Sequence, residues 1–417
     1  MMNQNNSCNV CLIQLAVVPY KFKENKNKIE KYVEKVMKLE KLKKPDIIVL
    51  PEMWNIGFTI NKVDEYADQN GEKAQEFLAN LAKKYQVIII GGSVASYDNN
   101  KKIYQNLNIN IDSKGQLLST YAKVHLFSPS KEDTVFTRGS QYKVCSTIIN
   151  KELEENVSQK EKKAHNEGNK DNKKYNSNSN YELNFIFSSV ICYDIRFPEF
   201  IRSIALEGIN LRNKEKTQQE SNSSTNTTTT TSTTKKSITT QSNSSTTNST
   251  NDVLSQSDTI EGGLDILFVS AAWPYPRLQH WRNLLIARAI ENQCFVVAVN
   301  NCGEMDGLTF CGHSLVIDPW GEILIEGEGP KDMLISSEKS NNLNEKSNTH
   351  KDIYTDINMD SNIIHYKEII EVEGQQINNS KAFDEILITT LSFDILKDIR
   401  QRICVFNDRF PEVYHCN

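Results

Sequence analysis

Apolar residues recur along this chain in two different periods, and the two alternate. Short runs rich in Ile, Val, Leu and Phe cover residues 11–18, 46–50, 87–91, 185–191, 265–270, 294–300, 314–318 and 386–391. Continuous apolar runs of this length predict buried strands. Between them the spacing becomes helical. Ile29, Tyr32, Val33, Val36 and Leu39 share one face of a predicted helix over 25–42. Residues 74–85 repeat that pattern, and over 280–292 Trp281, Leu284, Leu285 and Ala289 fall on one side. Residues 103–111 and 116–123 predict a hairpin that turns at 112–115, where Gly115 suits the turn. Pro319 and Gly321 mark another turn, before a returning strand at 322–325. Strands interleaved with helices predict a layered α/β fold.

Three tracts interrupt the pattern. Residues 151–180 are rich in Asn, Lys and Glu; 212–260 are Ser, Thr and Asn, with five threonines from Thr227 to Thr231; 337–382 are Asn, Ser, Asp and Glu. They pull the mean hydropathy down to -0.51 and the hydrophobic share to 38%. Such segments bury too little apolar surface to offset the entropy of ordering them. Loop closure costs only the logarithm of loop length, so one domain can carry them as surface inserts. The expectation is a single domain over 8–411 with about 290 structured residues and three low-complexity inserts.

Composition excludes several classes. The net charge is -5, and the lysines of 21–44 alternate with Glu on a predicted helix, so no nucleic-acid surface is expected. No apolar run reaches the length of a membrane span, and Met1 to Ser7 lacks the apolar stretch of a signal peptide. Nine scattered cysteines fit a reducing, cytoplasmic setting. Cys8 and Cys11 form a C-x-x-C without a second pair at metal spacing, so no metal is expected.

Three residues then stand out, each just past the end of a predicted strand. Cys192 follows the run 185–191, and Pro198, Glu199, Ile201, Ile204 and Ala205 predict a helix ended by Gly208. Such a strand–elbow–helix exposes a nucleophile, and the next N–H, of Tyr193, suits an oxyanion. Glu52 follows 47–50 and Pro51, beside Met53 and Trp54. Apolar neighbours raise a carboxyl's pKa toward that of a useful base. Lys123 ends the second hairpin strand and can donate to an oxyanion. His125 invites a Cys–His dyad, but it shares the extended stretch of Lys123, and a packed histidine is the simpler reading. Thiol, carboxylate and ammonium are together what amide hydrolysis through a thioester requires.

Pro51-Glu52-Met53-Trp54, Lys123-Val124-His125-Leu126-Phe127 and Cys192-Tyr193-Asp194-Ile195-Arg196-Phe197-Pro198-Glu199 resemble, in this order, the three signatures of the nitrilase superfamily of carbon–nitrogen hydrolases. The resemblance continues through Trp273-Pro274, Arg277, His280-Trp281, Ala287 to Gln293, Gly312-His313-Ser314 and Asp318-Pro319-Trp320-Gly321. It implies an α-β-β-α sandwich, a homodimer, no metal and no organic cofactor. It also implies a second glutamate after the lysine, for which Glu132 is the candidate. The stretch from Ala271 to Trp281, with Arg277, looks most like the ω-amidase branch, which acts on 2-oxoglutaramate and 2-oxosuccinamate. Deaminated-glutathione amidases and N-carbamoyl amidases are the alternatives, and a catalytically silent scaffold is the alternative of another class. Arg196 or Arg277 is the candidate for holding a substrate carboxylate, with Trp273 beside them.

Overall fold

The computed structural model describes residues 6–40, 42–152, 180–225, 262–330, 354–358, 363–377 and 380–414. Sixteen strands and six α-helices are discussed, all among these residues.

The first sheet is built on parallel β1 (Ser7–Ala16), β2 (Ile47–Val49) and β4 (Ile88–Asp98). Beside β4 lie the short β3 (Asp68–Gln69) and the hairpin β5 (Ile103–Ile111) and β6 (Leu117–Ala122). The second sheet runs β7 (Val144–Glu152), β8 (Asn180–Ile191), β9 (Ile266–Ala271) and β10 (Phe295–Met305), the last three parallel. β11 (Leu308–Cys311) returns along β10, and β12 (Leu315–Ile317) and β13 (Ile323–Glu326) extend this edge. β14 (Tyr354–Asn358), β15 (Ile363–Ile377) and β16 (Ser380–Ser392) continue the first sheet beyond β1. The two sheets join at one corner, where Leu15 and Ala16 pair with Asn301 and Cys302.

Strand alternation sorts the side chains into three apolar layers. Val10, Leu12, Ile47, Val49 and Ile90 meet Phe185, Phe187, Phe268, Phe295 and Val297 between the sheets. On the outer face of the first sheet, Cys11, Ile13, Ile48 and Ile89 receive α1 (Phe22–Met37) and α3 (Glu72–Tyr85), the short α2 (Val63–Tyr66) preceding α3. On the outer face of the second, Ile186, Val190, Val269 and Val296 receive α4 (Pro198–Thr225) and α5 (Leu278–Asn292). α6 (Phe393–Arg402) follows β16 and sends Phe393 and Leu396 into the layer between the sheets. The order is helix, sheet, sheet, helix, and the expected α-β-β-α sandwich is what forms. Each fully buried Ile, Leu or Phe contributes about 1.5–3 kcal/mol relative to exposure.

Some expectations change. α4 does not end at Gly208 but continues to Thr225, so the polar tract expected from 212 begins as helix. Gly208 is an internal contact: a Cβ there would lie 2.8 Å from the Gly263 backbone. Within the tract expected over 337–382, β14 and β15 and the start of β16 are strands. Averaged composition hid the apolar Ile363, Ile364, Tyr366, Ile369 and Ile370. The remainder of the three tracts, 153–179, 226–260, 337–353 and a few positions up to 379, lies outside the described residues. Cys8 and Cys11 point to opposite faces of β1, one between the sheets and one under the helices, so they share no site. Among the described residues no helix is long and apolar enough to cross a membrane.

Glu385 of β16 is fully buried beside the sheet junction. It accepts from Gln14 Nε2 at 3.1 Å and from the Glu328 N–H at 2.8 Å, with Lys367 Nζ 3.6 Å away. Burial pushes its carboxyl up to about 8 against the pull of Lys367. The protonated form is favoured in the folded state, so this stabilisation is complete at acid pH and is lost as pH rises through the folded value. Glu385→Gln is expected to flatten the fall of melting temperature between about pH 4.5 and pH 8. Thermal unfolding followed across that range checks it; a parallel fall in both proteins rejects it.

Candidate active site

Glu52, Lys123 and Cys192 come to one place because each follows the C-terminal end of a strand, β2, β6 and β8 respectively. Pro51 closes β2, and Met53 takes a left-handed turn at φ 54°. Ser93 holds this bend: its N–H donates to Pro51 O at 3.2 Å, its Oγ accepts from the Met53 N–H at 3.0 Å, and its carbonyl accepts from Trp54 at 3.1 Å. Gly92 makes the approach possible, since a Cβ on it would lie 2.1 Å from Pro51 O. From the sheet junction, Asn301 Nδ2 donates to Glu52 O at 2.8 Å. On the other hairpin, Lys123 N–H donates to Asn106 O at 2.9 Å, which holds the lysine at the strand end.

The side chains meet out of water. Glu52 and Lys123 are 0% exposed and Glu132 is 1% exposed. Lys123 Nζ lies 2.7 Å from Glu52 Oε1, and 3.1 and 2.9 Å from the two oxygens of Glu132. Asn106 Nδ2 donates to Glu52 Oε1 at 2.8 Å and to Glu132 Oε1 at 3.0 Å. The Ala272 N–H donates to Glu52 Oε2 at 2.7 Å, and the Phe127 N–H to Glu132 Oε2 at 2.7 Å. Phe58 caps the ammonium with its ring, the centroid 5.5 Å from Nζ.

These contacts decide the protonation states. Burial pulls the Lys123 pKa down, but the charges of Glu132 and Glu52 outweigh it and hold the lysine above its ordinary value. Burial raises Glu52 above the usual carboxylate range, although Lys123 opposes it. The Cys192 thiol is raised by burial and by the Glu52 charge, opposed by Lys123 and by a hydrogen bond from the Ala272 amide. At neutral pH the set therefore holds a neutral thiol, a permanent cation and a carboxylate with raised proton affinity. It can move one proton from sulfur to carboxylate and stabilise one new negative charge.

Cys192 sits in a strained elbow, at φ 47°, leading a 3-10 turn over Cys192–Arg196 before α4 begins at Pro198. Asp194 fastens the elbow to the Lys123 strand. Its Oδ2 accepts from the Ile191 N–H at 2.9 Å and from Tyr121 Oη at 2.7 Å; its Oδ1 accepts from the His125 N–H at 3.1 Å and meets His125 Nδ1 at 2.8 Å. The His125 ring stacks on Phe197, with centroids 3.8 Å apart. This histidine is packed structure, held to Asp194 and Phe197. Arg288 of α5 donates from Nε to Ile195 O at 2.9 Å, bracing the elbow from below.

Beyond the thiol, Arg196 and Arg277 are brought to the same place. The Arg196 guanidinium lies 4.8 Å from the Trp273 ring and 5.9 Å from that of Tyr193, and NH2 meets His280 Nδ1 at 3.2 Å. Arg277 lies 5.2 Å from the Phe127 ring, and its carbonyl accepts from Trp273 Nε1 at 2.9 Å. Burial and then the like charge of Arg277 lower the Arg196 pKa, only partly countered by Tyr193 and Cys192. Trp273 is 2% exposed and supports Arg196 from beneath. Asn106, Ala272 and Asp194 were not among the sequence candidates. Asn106, Asn108 and Asn110 form a period-two row of amides in a strand otherwise built for burial, which is the signal that could have found the first.

A buried thiol, a carboxylate and an ammonium ion at the strand ends of an α/β sandwich, with a second carboxylate from the turn at Glu132, are the parts of an amide-cleaving hydrolase. The carbon-nitrogen hydrolase family model matches residues 9–235 and 260–338. A 2-oxoglutaramate amidase of Bacillus subtilis (strain 168) is 33% identical over 305 residues, 73% of this chain and 80% of that protein. A deaminated glutathione amidase of Synechocystis sp. (strain PCC 6803 / GT-S) is 28% identical over 294 residues, 68% of this chain and 76% of that protein. The crystal structure of Saccharomyces cerevisiae Nit3, a member of branch 10 of the nitrilase superfamily, superposes with a TM-score of 0.55 at 18% identity, covering 95% of this chain and 94% of that one. The chain belongs to the carbon–nitrogen hydrolase family, and it is a hydrolase of carbon–nitrogen bonds.

Asp194→Asn places an N–H donor among the donors Tyr121, His125 and Ile191. It is expected to cost about 2–3 kcal/mol of stability, measurable by urea unfolding. A loss below about 0.5 kcal/mol would show that Asp194 does not fasten the elbow.

Proposed function

We propose that this enzyme is an ω-amidase. It removes the terminal amide of a small 2-oxo dicarboxylic acid monoamide, of the 2-oxoglutaramate or 2-oxosuccinamate type, giving the 2-oxo acid and ammonia. The observation that carries this reading is the pair Arg196 and Arg277. Neither guanidinium has a carboxylate partner among the described residues; Arg196 lies over Trp273 and over Tyr193, the residue after Cys192, and Arg277 lies over Phe127, whose ring packs on Tyr193. Asp194, the neighbour that might have neutralised Arg196, spends its oxygens on Tyr121, His125 and Ile191. Two unpaired guanidinium groups beside a nucleophile suit a substrate with a distal carboxylate. The Bacillus relative's name supports the same substrate class.

The reaction uses the set in two halves. Cys192 Sγ attacks the amide carbon as its proton passes to Glu52. The carbonyl oxygen becomes an oxyanion held by Lys123 and by the Tyr193 N–H, which lies in the first turn of its helix, where such groups lack intrahelical partners. The intermediate collapses, the C–N bond breaks, and ammonia leaves with the proton from Glu52. A thioester remains on Cys192. Glu52 then takes a proton from water as its oxygen attacks the thioester. Collapse frees the carboxylic acid, and the sulfur recovers its proton from Glu52. Glu132 keeps Lys123 oriented throughout.

The Synechocystis relative supports a second reading, deaminated glutathione as substrate. Ammonia release measured in parallel from 2-oxoglutaramate, deaminated glutathione and an N-carbamoyl amine separates them, with 2-oxoglutaramate expected fastest and Cys192→Ala inactive. No release from any, with the thiol reduced, would favour a silent scaffold. Arg277→Ala is expected to raise KM for 2-oxoglutaramate about tenfold with kcat nearly kept; an unchanged KM removes Arg277 from the substrate site.

The proposal includes a homodimer. Ile290, Trp320 and Ile323 are 48%, 39% and 39% exposed, and Ile290 packs beside Gly321, the residue after Trp320, so exposed apolar side chains gather about this turn. Sedimentation is expected to give twice the chain mass, and Ile290→Lys to shift it toward the single chain. A wild-type protein at single-chain mass would discard the dimer.

A further inference from the structure

We infer that Asn106 is a positioning residue for the reaction: it ties Glu52 and Glu132 to fixed atoms and thereby leaves one Lys123 proton for the substrate. This rests on the reading of Glu52 as the base.

Glu52 and Glu132 are buried carboxylates on either side of a single ammonium ion. Lys123 has three N–H bonds. One points to Glu52 Oε1, and Glu132 straddles the ammonium with Oε2 at 2.9 Å and Oε1 at 3.1 Å, a pair that one forked N–H can serve. If the lysine alone had to satisfy both anions, its third bond would be drawn to a carboxylate as well. Asn106 supplies the missing donors. Both hydrogens of its Nδ2 go to carboxylates, one to each, on the very oxygens that face Lys123. The four groups close a ring in which each anion receives a cationic and a neutral donor. With the two oxygens of Glu132 sharing one N–H, and Asn106 donating to its more distant Oε1, the third ammonium proton is left for an oxyanion.

The orientation of the amide shows that its donors are what the site uses. Asn106 is 1% exposed, and its Oδ1 has no hydrogen-bond partner among the described residues. A buried acceptor left unpaired is unfavourable. Turning the amide over would set that oxygen against two carboxylates, which is worse. The backbone carbonyl of the same residue accepts from the Lys123 N–H, so its main chain fixes the lysine while its side chain fixes the acids.

The groups facing Glu52 are Lys123 after β6, Glu132 in its turn, Cys192 after β8, the Ala272 N–H after β9, and Asn106 in β5. Asn106 is the neutral side-chain donor of this set. Its loss removes a hydrogen bond to the ionised form and raises the proton affinity of Glu52. Less of the enzyme then holds an ionised base at acid pH.

Asn106→Leu keeps the volume and removes the donors. The expected result is a fall in kcat on the order of 10²-fold with KM little changed, and an acid limb of kcat/KM moved to higher pH. Alkylation of Cys192 by iodoacetamide gives a readout that needs no substrate, and its pH profile is expected to move in the same direction. Asn108→Leu is the control: Asn108 is buried on the same strand face but donates to Gly92 O, so it is expected to lower the melting temperature and leave both profiles in place. Where the leucine variant does not fold, Asn106→Ser replaces it. Its single hydroxyl serves one carboxylate at most, so the shift has the same sign. Profiles unmoved in the folded variant, with only stability lost, overturn the inference. Glu52→Gln separates it from the reading on which it rests: an alkylation profile unchanged by Glu52→Gln would sink Glu52 as base, whatever Asn106 does.

Discussion

Lys123, Glu52 and Glu132 are ionisable groups taken out of water, and such a set holds only if every charge finds donors or acceptors in fixed positions. Here those positions come from six separate segments. β5 brings Asn106, the end of β6 brings Lys123, the bend after β2 brings Glu52, the turn after Phe127 brings Glu132, and the ends of β8 and β9 bring Cys192 and the Ala272 amide. No single element carries the site. The sandwich must be folded before the ion cluster can exist, and the cluster in turn penalises any slip of one strand against its neighbour.

The thiol and the carboxylates around Lys123 also belong to different sheets. Glu52 and Lys123 hang from the first, Cys192 from the second. Asp194 is the tie between them: it accepts from Tyr121 of the first sheet's β6, from His125 in the segment just after it, and from Ile191 of the second sheet's β8. His125 beside a cysteine suggests catalysis, yet its ring is taken by Asp194 and Phe197. The left-handed φ at Cys192 and Met53 shows where the chain departs from ordinary geometry to bring sulfur and carboxylate together.

Much of this was legible in the chain because strands and chemistry share boundaries. Pro51 ends β2 where Glu52 is needed, and an apolar strand stops directly before Cys192. The spacing of Ile201, Ile204 and Ala205, and of Trp281, Leu285 and Ala289, predicts the faces that pack on the second sheet. Other features were hidden for physical reasons. Asn106 and Ala272 act through contacts between residues far apart in sequence, and Ala272 contributes only a backbone N–H, which no side-chain pattern can announce. Gly208 reads as a helix stop, but its use is to let Gly263 approach. β14 and β15 were masked by polar neighbours, because a composition average discards the alternation that makes a strand.

β8 is 12 residues long and runs one way: the chain enters it at Asn180 and leaves it at Cys192. At about 3.3 Å per residue, its entry and the thiol at its other end are roughly 40 Å apart. Glu152, the last residue of β7, pairs with Asn180 at that remote end, so the two strands are joined to each other across the full length of the sheet that separates their outer end from the thiol. A disturbance at the Asn180 end must therefore travel the whole ladder of β7, β8 and β9 before it reaches the sulfur, which makes this strand a lever arm rather than a hinge.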